Sequence, residues 1–229
     1  MSNPPISLML FAAGFGTRMG ALTKDMPKPM IPVAGVPMID HALRLAGAVH
    51  PTRIVANLHY HADQLANHLT PRGVILSHET DILETGGGLR KALPLLGPGA
   101  VYTMNPDVIW HGPNPLEMLR GAWNPDVMDA LLMCVPLASA LGHSGGGDFT
   151  VDTDGRIRRG PGVIYGGVQI VKTDGLNSIR EAAFSLNVLW DLMLADGRLF
   201  GVTYTGRWCD VGRPSGIALA EKMLAGGDV

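Results

Sequence analysis

Arg18 and Lys28 stand where a chain can hold an anion. They follow an apolar run over residues 6–13 that breaks into Gly14, Gly16 and Gly20, and they lie among Pro27, Pro29, Pro32 and Pro37. Glycines after a buried strand let the backbone approach a ligand and turn N–H groups toward it. Cations on a proline-stiffened segment lose little freedom on binding, so they suit a fixed anion. A phosphate chain fits such a loop. A dinucleotide fingerprint does not: it needs Gly-x-Gly-x-x-Gly running into a helix and an acid ending the second strand. Here the third glycine comes one position late and a proline-rich loop follows. A Walker loop needs a Gly-Lys pair, and the chain has none.

Three further stretches carry chemistry. Residues 84–88, ETGGG, read as a loop that feeds a helix N-terminus and exposes backbone N–H groups. Asn105-Pro106-Asp107 ends a strand over 101–104, and Asp210 ends a strand-like stretch over 207–211. In open α/β sheets ligands bind beyond the carboxyl ends of the strands, so residues 14–18, 84–88 and Asp107 can share one edge. Either aspartate alone is as well explained by a turn or a cap.

The elements that must position these groups follow from periodicity. Helical spacing spans 37–49 and 61–69, with strands over 53–57 and 74–77. A helix over 115–123 and a buried strand over 130–137 come next. The alternation predicts an α/β fold with a mostly parallel sheet and helices on its faces. The texture changes after Ser144. A short strand over 148–151, a turn at Asp154-Gly155, a basic run of Arg156, Arg158 and Arg159, and a strand over 163–171 predict an antiparallel insertion. The basic run reads as a solvated turn, with a ligand-facing cation as its alternative. Helices over 184–195 and 214–224 and a strand over 200–204 complete the chain.

Composition bounds the rest. Of 229 residues, 46% are hydrophobic, enough for a core without disulfides. The net charge is -2 and no basic stretch is concentrated, which argues against nucleic-acid binding. Cys134 and Cys209 have no metal-type spacing, so a reduced, cytoplasmic protein is expected. No Lys or Arg precedes the run over 6–13, so it is not read as a signal peptide, and no run reaches membrane-spanning length. His59, His61 and His68 read as helix-surface residues without a carboxylate partner, and Met19, Met26, Met30 and Met38 as gap-filling core.

The motif A-A-G-x-G-T-R-M followed by P-K-P-M-x-P-V-x-G-x-P resembles the signature of sugar-1-phosphate nucleotidylyltransferases. ETGGG, N-P-D, GGGDF and W-C-D-V-G-R-P fall in the family's order, and the likeness covers nearly the whole chain. It implies a Rossmann-like mostly parallel sheet with helices on both faces and a small antiparallel sugar-binding insertion. One domain over 1–229 is implied, with about 1–110 binding nucleotide and about 111–229 the sugar phosphate. Ala12, Ala13 and Gly14 would touch base and ribose through backbone. Gly16, Thr17 and Arg18 would wrap the triphosphate, Lys28 would bind near the α-phosphorus, and Arg18, Lys28 and Asp107 would be catalytic. Thr85, Gly86 and Gly87 would hold the base and Asn105 the ribose. Asp148 and Gly167 would face the sugar phosphate, and Asp107 and Asp210 would share Mg²⁺. The resemblance is strongest to the short branch of the family. It implies UTP as donor and N-acetylmuramate-1-phosphate as acceptor, in a monomer or small homo-oligomer without nucleic acid or membrane partners. Mannose-1-phosphate with GTP, or phosphocholine with CTP, are the alternative pairs. Pro106 stands where the family has glycine, and Arg213 where it has threonine, placing an extra cation near the metal. The first departure raises a further alternative, a nucleotide-sugar binding module with impaired catalysis.

Overall fold

Every residue from Leu8 to Phe11 is apolar. The computed structural model, which describes residues 7–226, places them in strand β1 (Ser7–Phe11); Ile6 lies outside the described residues. The glycine loop and two 3-10 turns (Thr17–Thr23 and Lys28–Met30) follow. A two-rung hairpin, β2 (Pro32–Val33) and β3 (Val36–Pro37), turns at Ala34 and Gly35, both at positive φ. The chain then alternates through α1 (Met38–Gly47), β4 (Arg53–Leu58), α2 (Ala62–Leu69), β5 (Ile75–His78), α3 (Glu84–Leu96) and β6 (Ala100–Met104). The strands pair in parallel in the order β5-β4-β1-β6.

Both faces of this sheet are covered, which is why β1 reads as an unbroken apolar run. Leu8 and Leu10 join Ile39 and Ala46 of α1 and Leu65 and Leu69 of α2 in one core. Met9 points the other way, into a second core with Leu89, Ala92 and Leu96 of α3. Side chains alternate across a strand, so adjacent residues serve opposite layers.

The second half extends the same sheet with reversed strands. It comprises β7 (Val108–His111), α4 (Pro115–Ala122), β8 (Ala130–Pro136), β9 (Ala140–Leu141), β10 (Phe149–Val151), β11 (Ile157–Arg159), β12 (Val163–Lys172), α5 (Leu186–Ala195), β13 (Leu199–Thr203), β14 (Arg207–Asp210) and α6 (Pro214–Leu224). Strand β12 runs antiparallel to both β6 and β8, and β13 lies parallel to β8. The pairing of β12 with β8 slips between Tyr165 and Gln169, where Gly167 takes a φ of 87. The antiparallel pair β10–β11 joins β12 through one pairing, Phe149 with Val163. A small separate sheet, β7-β14-β9, packs under α6.

The α/β sheet and most elements lie where the periodicity puts them. Four expectations are corrected. Residues 84–88 are not a loop but the first turn of α3. The glycines are there because the turn is crowded: a Cβ on Gly86 would overlap the Phe184 ring and lie 2.9 Å from its carbonyl oxygen, and one on Gly87 would lie 2.5 Å from the Ala182 carbonyl. Residues 157–159 form an edge strand rather than a solvated turn. His68 does have a carboxylate partner, Asp40, at 2.7 Å. Met26 is exposed, whereas Met19 and Met38 are buried as expected.

The packing at Gly86 gives a direct prediction. Gly86→Ala should cost about 1–3 kcal/mol, the usual range for forcing extra volume into a closed site, read as a lowered urea midpoint with unchanged slope. A variant of unchanged stability but weakened nucleotide binding would instead restore the open-loop picture.

Candidate active site

The glycine loop is tied down at its start by a short polar relay. Asn57, at the end of β4, accepts the Ala12 N–H through Oδ1 at 2.8 Å and donates Nδ2 to Glu79 Oε1 at 2.7 Å. Glu79 Oε2 accepts the Leu83 N–H at 3.2 Å, fixing the approach to α3. Both side chains are buried, and a Cβ on Gly88 would come within 2.9 Å of each. Gly16 is left-handed at φ 64, and a Cβ there would sit 2.8 Å from the Lys28 Cβ. Glycine is therefore required twice at this position, by conformation and by close approach. Gly14 differs: nothing lies within 4 Å of an added Cβ, so its open side faces the cleft.

Lys28 is 8% exposed and donates Nζ to Asp107 Oδ2 at 2.5 Å. Asp210 reaches the same place through the β7–β14 ladder. There Asp210 pairs with Val108, and the Val211 N–H donates to the Asp107 carbonyl at 3.0 Å. A Cβ on Gly212 would fall 2.9 Å from Asp210 Oδ1 and 3.2 Å from Arg18 Nη1, so carboxylate and guanidinium flank that glycine. Burial raises the Asp210 carboxyl above its ordinary value. The Asp107 charge raises it further, while Lys28 and Arg18 oppose the shift.

Arg18, Lys28, Asp107 and Gly212 line a cleft of three adjoining cavities along the carboxyl edge of the sheet, all sharing Phe11, with Asp210 just behind Gly212. The first, about 280 Å³, is walled by Ala12, Gly14, Gly16, Thr17, Arg18, Lys28, Pro106 and Asp107. The second, about 210 Å³, lies between Ala13, Gly14, Asn57, Glu79, Thr85, Asn105 and Asp107. The third, about 250 Å³, is lined by Thr85, Asn105, Asp148, Arg159, Tyr165, Asn187 and Trp190 among others. A cleft with two cations, a loop of N–H groups and two converging carboxylates can hold a polyphosphate with a divalent cation. The donor set fits Mg²⁺: the carboxylates are hard oxygen ligands, and the second of them is disfavoured as an anion by burial and by the first. Among the described residues no group of three or more His, Cys, Asp or Glu gathers, here or elsewhere, so the carboxylates at this site number two. Cys134 and Cys209 are free thiols pushed up to about 12 by burial, so they offer no thiolate ligand.

Residues 8–139 match the model of the MobA-like NTP transferase domain. The chain belongs to that family. This NTP transferase is 40% identical, over 98% of its length and 99% of the relative's, to the N-acetylmuramate alpha-1-phosphate uridylyltransferase of Caulobacter vibrioides. It is 32% identical to the protein of that name from Neisseria meningitidis serogroup B, over 89% of this chain and 92% of the other. The crystal structure of HddC from Yersinia pseudotuberculosis complexed with GMP-PN covers 96% of this chain and 99% of its own, with a TM-score of 0.75. At 19% identity that likeness shows a shared fold.

Of the site residues expected in the transferase, those of the glycine loop, Lys28, Asn105, Asp107 and Asp210 come together. Others stand differently. The N–H groups of Gly86 and Gly87 are not open to a base, since both donate to the Phe184 carbonyl, at 2.8 and 3.1 Å. The Ala12 N–H is likewise taken by Asn57. Thr85 faces the cleft but its hydroxyl accepts the Leu186 N–H. Gly167 presents its carbonyl to the Asn105 N–H at 2.8 Å and so acts on the site through backbone. Asp148 lines the third cavity while accepting the Tyr165 N–H at 2.9 Å. Arg213 is exposed at the N-cap of α6, three residues after Asp210, and is not among the residues that line the three cavities. Asn57 and Glu79 were not singled out by motif, Gly212 entered only as part of W-C-D-V-G-R-P, and Arg159 only as one of three arginines. Asn57 carried a signal, a polar side chain ending a buried strand.

The raised Asp210 carboxyl sets a pH dependence. Between the ordinary carboxylate value and the raised one, the folded protein keeps a proton that the unfolded chain has released, so stability falls as pH rises through that window. Asp210→Asn should therefore raise the metal-free melting temperature at neutral pH and flatten its acid dependence, while turnover is lost. A lower melting temperature in that variant would mean the carboxylate is instead a net stabilising partner of Arg18 or Lys28.

Proposed function

We propose that this NTP transferase moves a uridylyl group from UTP to N-acetylmuramate-1-phosphate, releasing pyrophosphate and forming the UDP-sugar. The observation that carries this reading is the likeness to the Caulobacter protein, which spans both chains almost end to end. The cleft agrees with it in order, with anion-binding groups at one end, Asn57 and Glu79 in the middle and a polar and aromatic wall at the other.

In this reading an acceptor phosphate oxygen bonds to the α-phosphorus as the bond from that phosphorus to the pyrophosphate oxygen breaks. Phosphate is already a competent nucleophile at neutral pH, so no general base is needed. The obstacle is the meeting of two polyanions, which fixed positive charge relieves. Gly16, Thr17 and Arg18 hold the leaving pyrophosphate, and Lys28 turns its ammonium to the α-phosphoryl oxygens. Asn105 sits beside the ribose, and Asp148 faces the acceptor. Asp107 and Asp210 would hold Mg²⁺, which supplies charge neutralisation to the phosphates when bound. The first half of the chain, about 1–110, supplies the nucleotide side, and about 111–229 supplies the sugar side together with Asp210. Pro106 does not turn Asp107 away from Lys28, which favours a working enzyme over a binding module.

Pyrophosphate release over a grid of four NTPs and several sugar-1-phosphates tests the assignment. UTP with N-acetylmuramate-1-phosphate should give the highest kcat/KM, and a better rate with another base or acceptor would replace it. Lys28→Ala and Asp107→Ala should each lower kcat by at least ~10²-fold, the scale of a lost electrostatic stabiliser in a preorganised site. Near-normal rates in both would remove the carboxylate–lysine cluster from the chemistry.

A further inference from the structure

The third cavity holds a cation that the transfer step does not use. Strand β11 pairs with β10 so that Arg159 lies opposite Phe149. Its guanidinium carbon sits 4.9 Å from the centre of the Phe149 ring and 5.9 Å from that of Trp190. The neighbouring arginines are committed elsewhere. Arg156 donates to Asp154 and to the Gly197 carbonyl, and Arg158 pairs with Asp152 at 3.1 Å with its side chain 77% exposed. Of the three, Arg159 alone lines the cavity that also contains Asn105 and Asp148.

A guanidinium laid over aromatic rings is held in orientation as well as place, and its planar fork matches a carboxylate. Arg159 spends part of that fork on one oxygen of Asp191, donating to Oδ1 from Nε at 3.2 Å and from Nη2 at 2.8 Å. Asp191 is 62% exposed, so this pair is a weak competitor that solvent screens. The position in the cleft supplies the rest. Asn105 belongs to both the second and third cavities, whereas Arg159 belongs to the third and not the second. An acceptor lying in the third cavity with its phosphate turned past Asn105 toward Asp107 would have Arg159 on the wall beside its ring.

We propose that Arg159 selects the acceptor by binding a carboxylate carried on its sugar ring. This rests on the reading of the acceptor as N-acetylmuramate-1-phosphate, which differs from N-acetylglucosamine-1-phosphate by a carboxylate-bearing ether. Asp148, on the same cavity, repels that carboxylate and accepts hydrogen bonds from neutral donors of the sugar, so the two side chains orient the acceptor between them.

The test is steady-state kinetics of the full chain at saturating UTP with both acceptors. Arg159→Ala should raise KM for N-acetylmuramate-1-phosphate by about 10- to 100-fold, the worth of a hydrogen-bonded charge, with little change in kcat. KM for N-acetylglucosamine-1-phosphate should stay as it is. Arg159→Lys should recover part of the loss, and Arg158→Ala should move neither acceptor. Asp191→Asn, which removes the competing carboxylate without touching the stack, should lower KM for the carboxylated acceptor. Equal effects of Arg159→Ala on both acceptors, or an Asp191→Asn variant that binds the carboxylated acceptor no better, would overturn the role. Wild-type enzyme without preference for the carboxylated acceptor would overturn the acceptor assignment, and this role with it. A wild-type preference that survives in both Arg159 variants would overturn the role alone.

Discussion

Two carboxylates of like charge, Asp107 and Asp210, are forced together at the edge of the sheet, and much of the cleft answers that repulsion. Burial makes the second of them reluctant to ionise, and Lys28, Arg18 and the Gly212 N–H work the other way. Lys28 is inside rather than on the surface because it meets Asp107 at 2.5 Å. The positive charge that would receive a triphosphate is thus the same charge that makes the carboxylate pair tolerable. Such a cluster is more costly than an apolar packing of equal volume, and is kept for what it can bind.

That constraint accounts for the architecture around it. Asp107 follows β6 of the parallel sheet, whereas Asp210 comes from a strand outside that sheet altogether. The small sheet β7-β14-β9 exists at the junction, and its ladder delivers Asp210 beside Asp107 from the far end of the chain. Lys28 arrives by a third route, through a 3-10 turn between Pro27 and Pro29. Gly16 lets the loop settle onto the Lys28 stem.

The parallel sheet was legible because β1, β4 and β6 are apolar on both faces and alternate with helices of clear period. The Arg18, Lys28, Asp107 and Asp210 set was legible because motif order stood in for proximity. What escaped had no local signature. Strand β7 follows directly on Asp107 and reads as part of the same turn, so the ladder that joins the aspartates could not be seen. Three glycines in a row at 86–88 look like a loop, since the crowding by Phe184 and Ala182 that makes them helical comes from residues far away in sequence. Arg159 read as one of three solvated arginines, because the rings beneath it come from β10 and α5.

Strand β12 serves both halves of the cleft, but not equally. Its stretch from Val168 to Lys172 is locked to β6 by five pairings, while β10 meets β12 only where Phe149 pairs with Val163, and the turn before β11 is tied to β13 by the bridge of Arg156 with Phe200. The irregularity at Gly166 and Gly167 separates the two stretches. The β10–β11 wall thus hangs on the sheet by few backbone pairings and is held chiefly by side chains, Phe149 and Ile157 being buried in the core shared with α3 and α5.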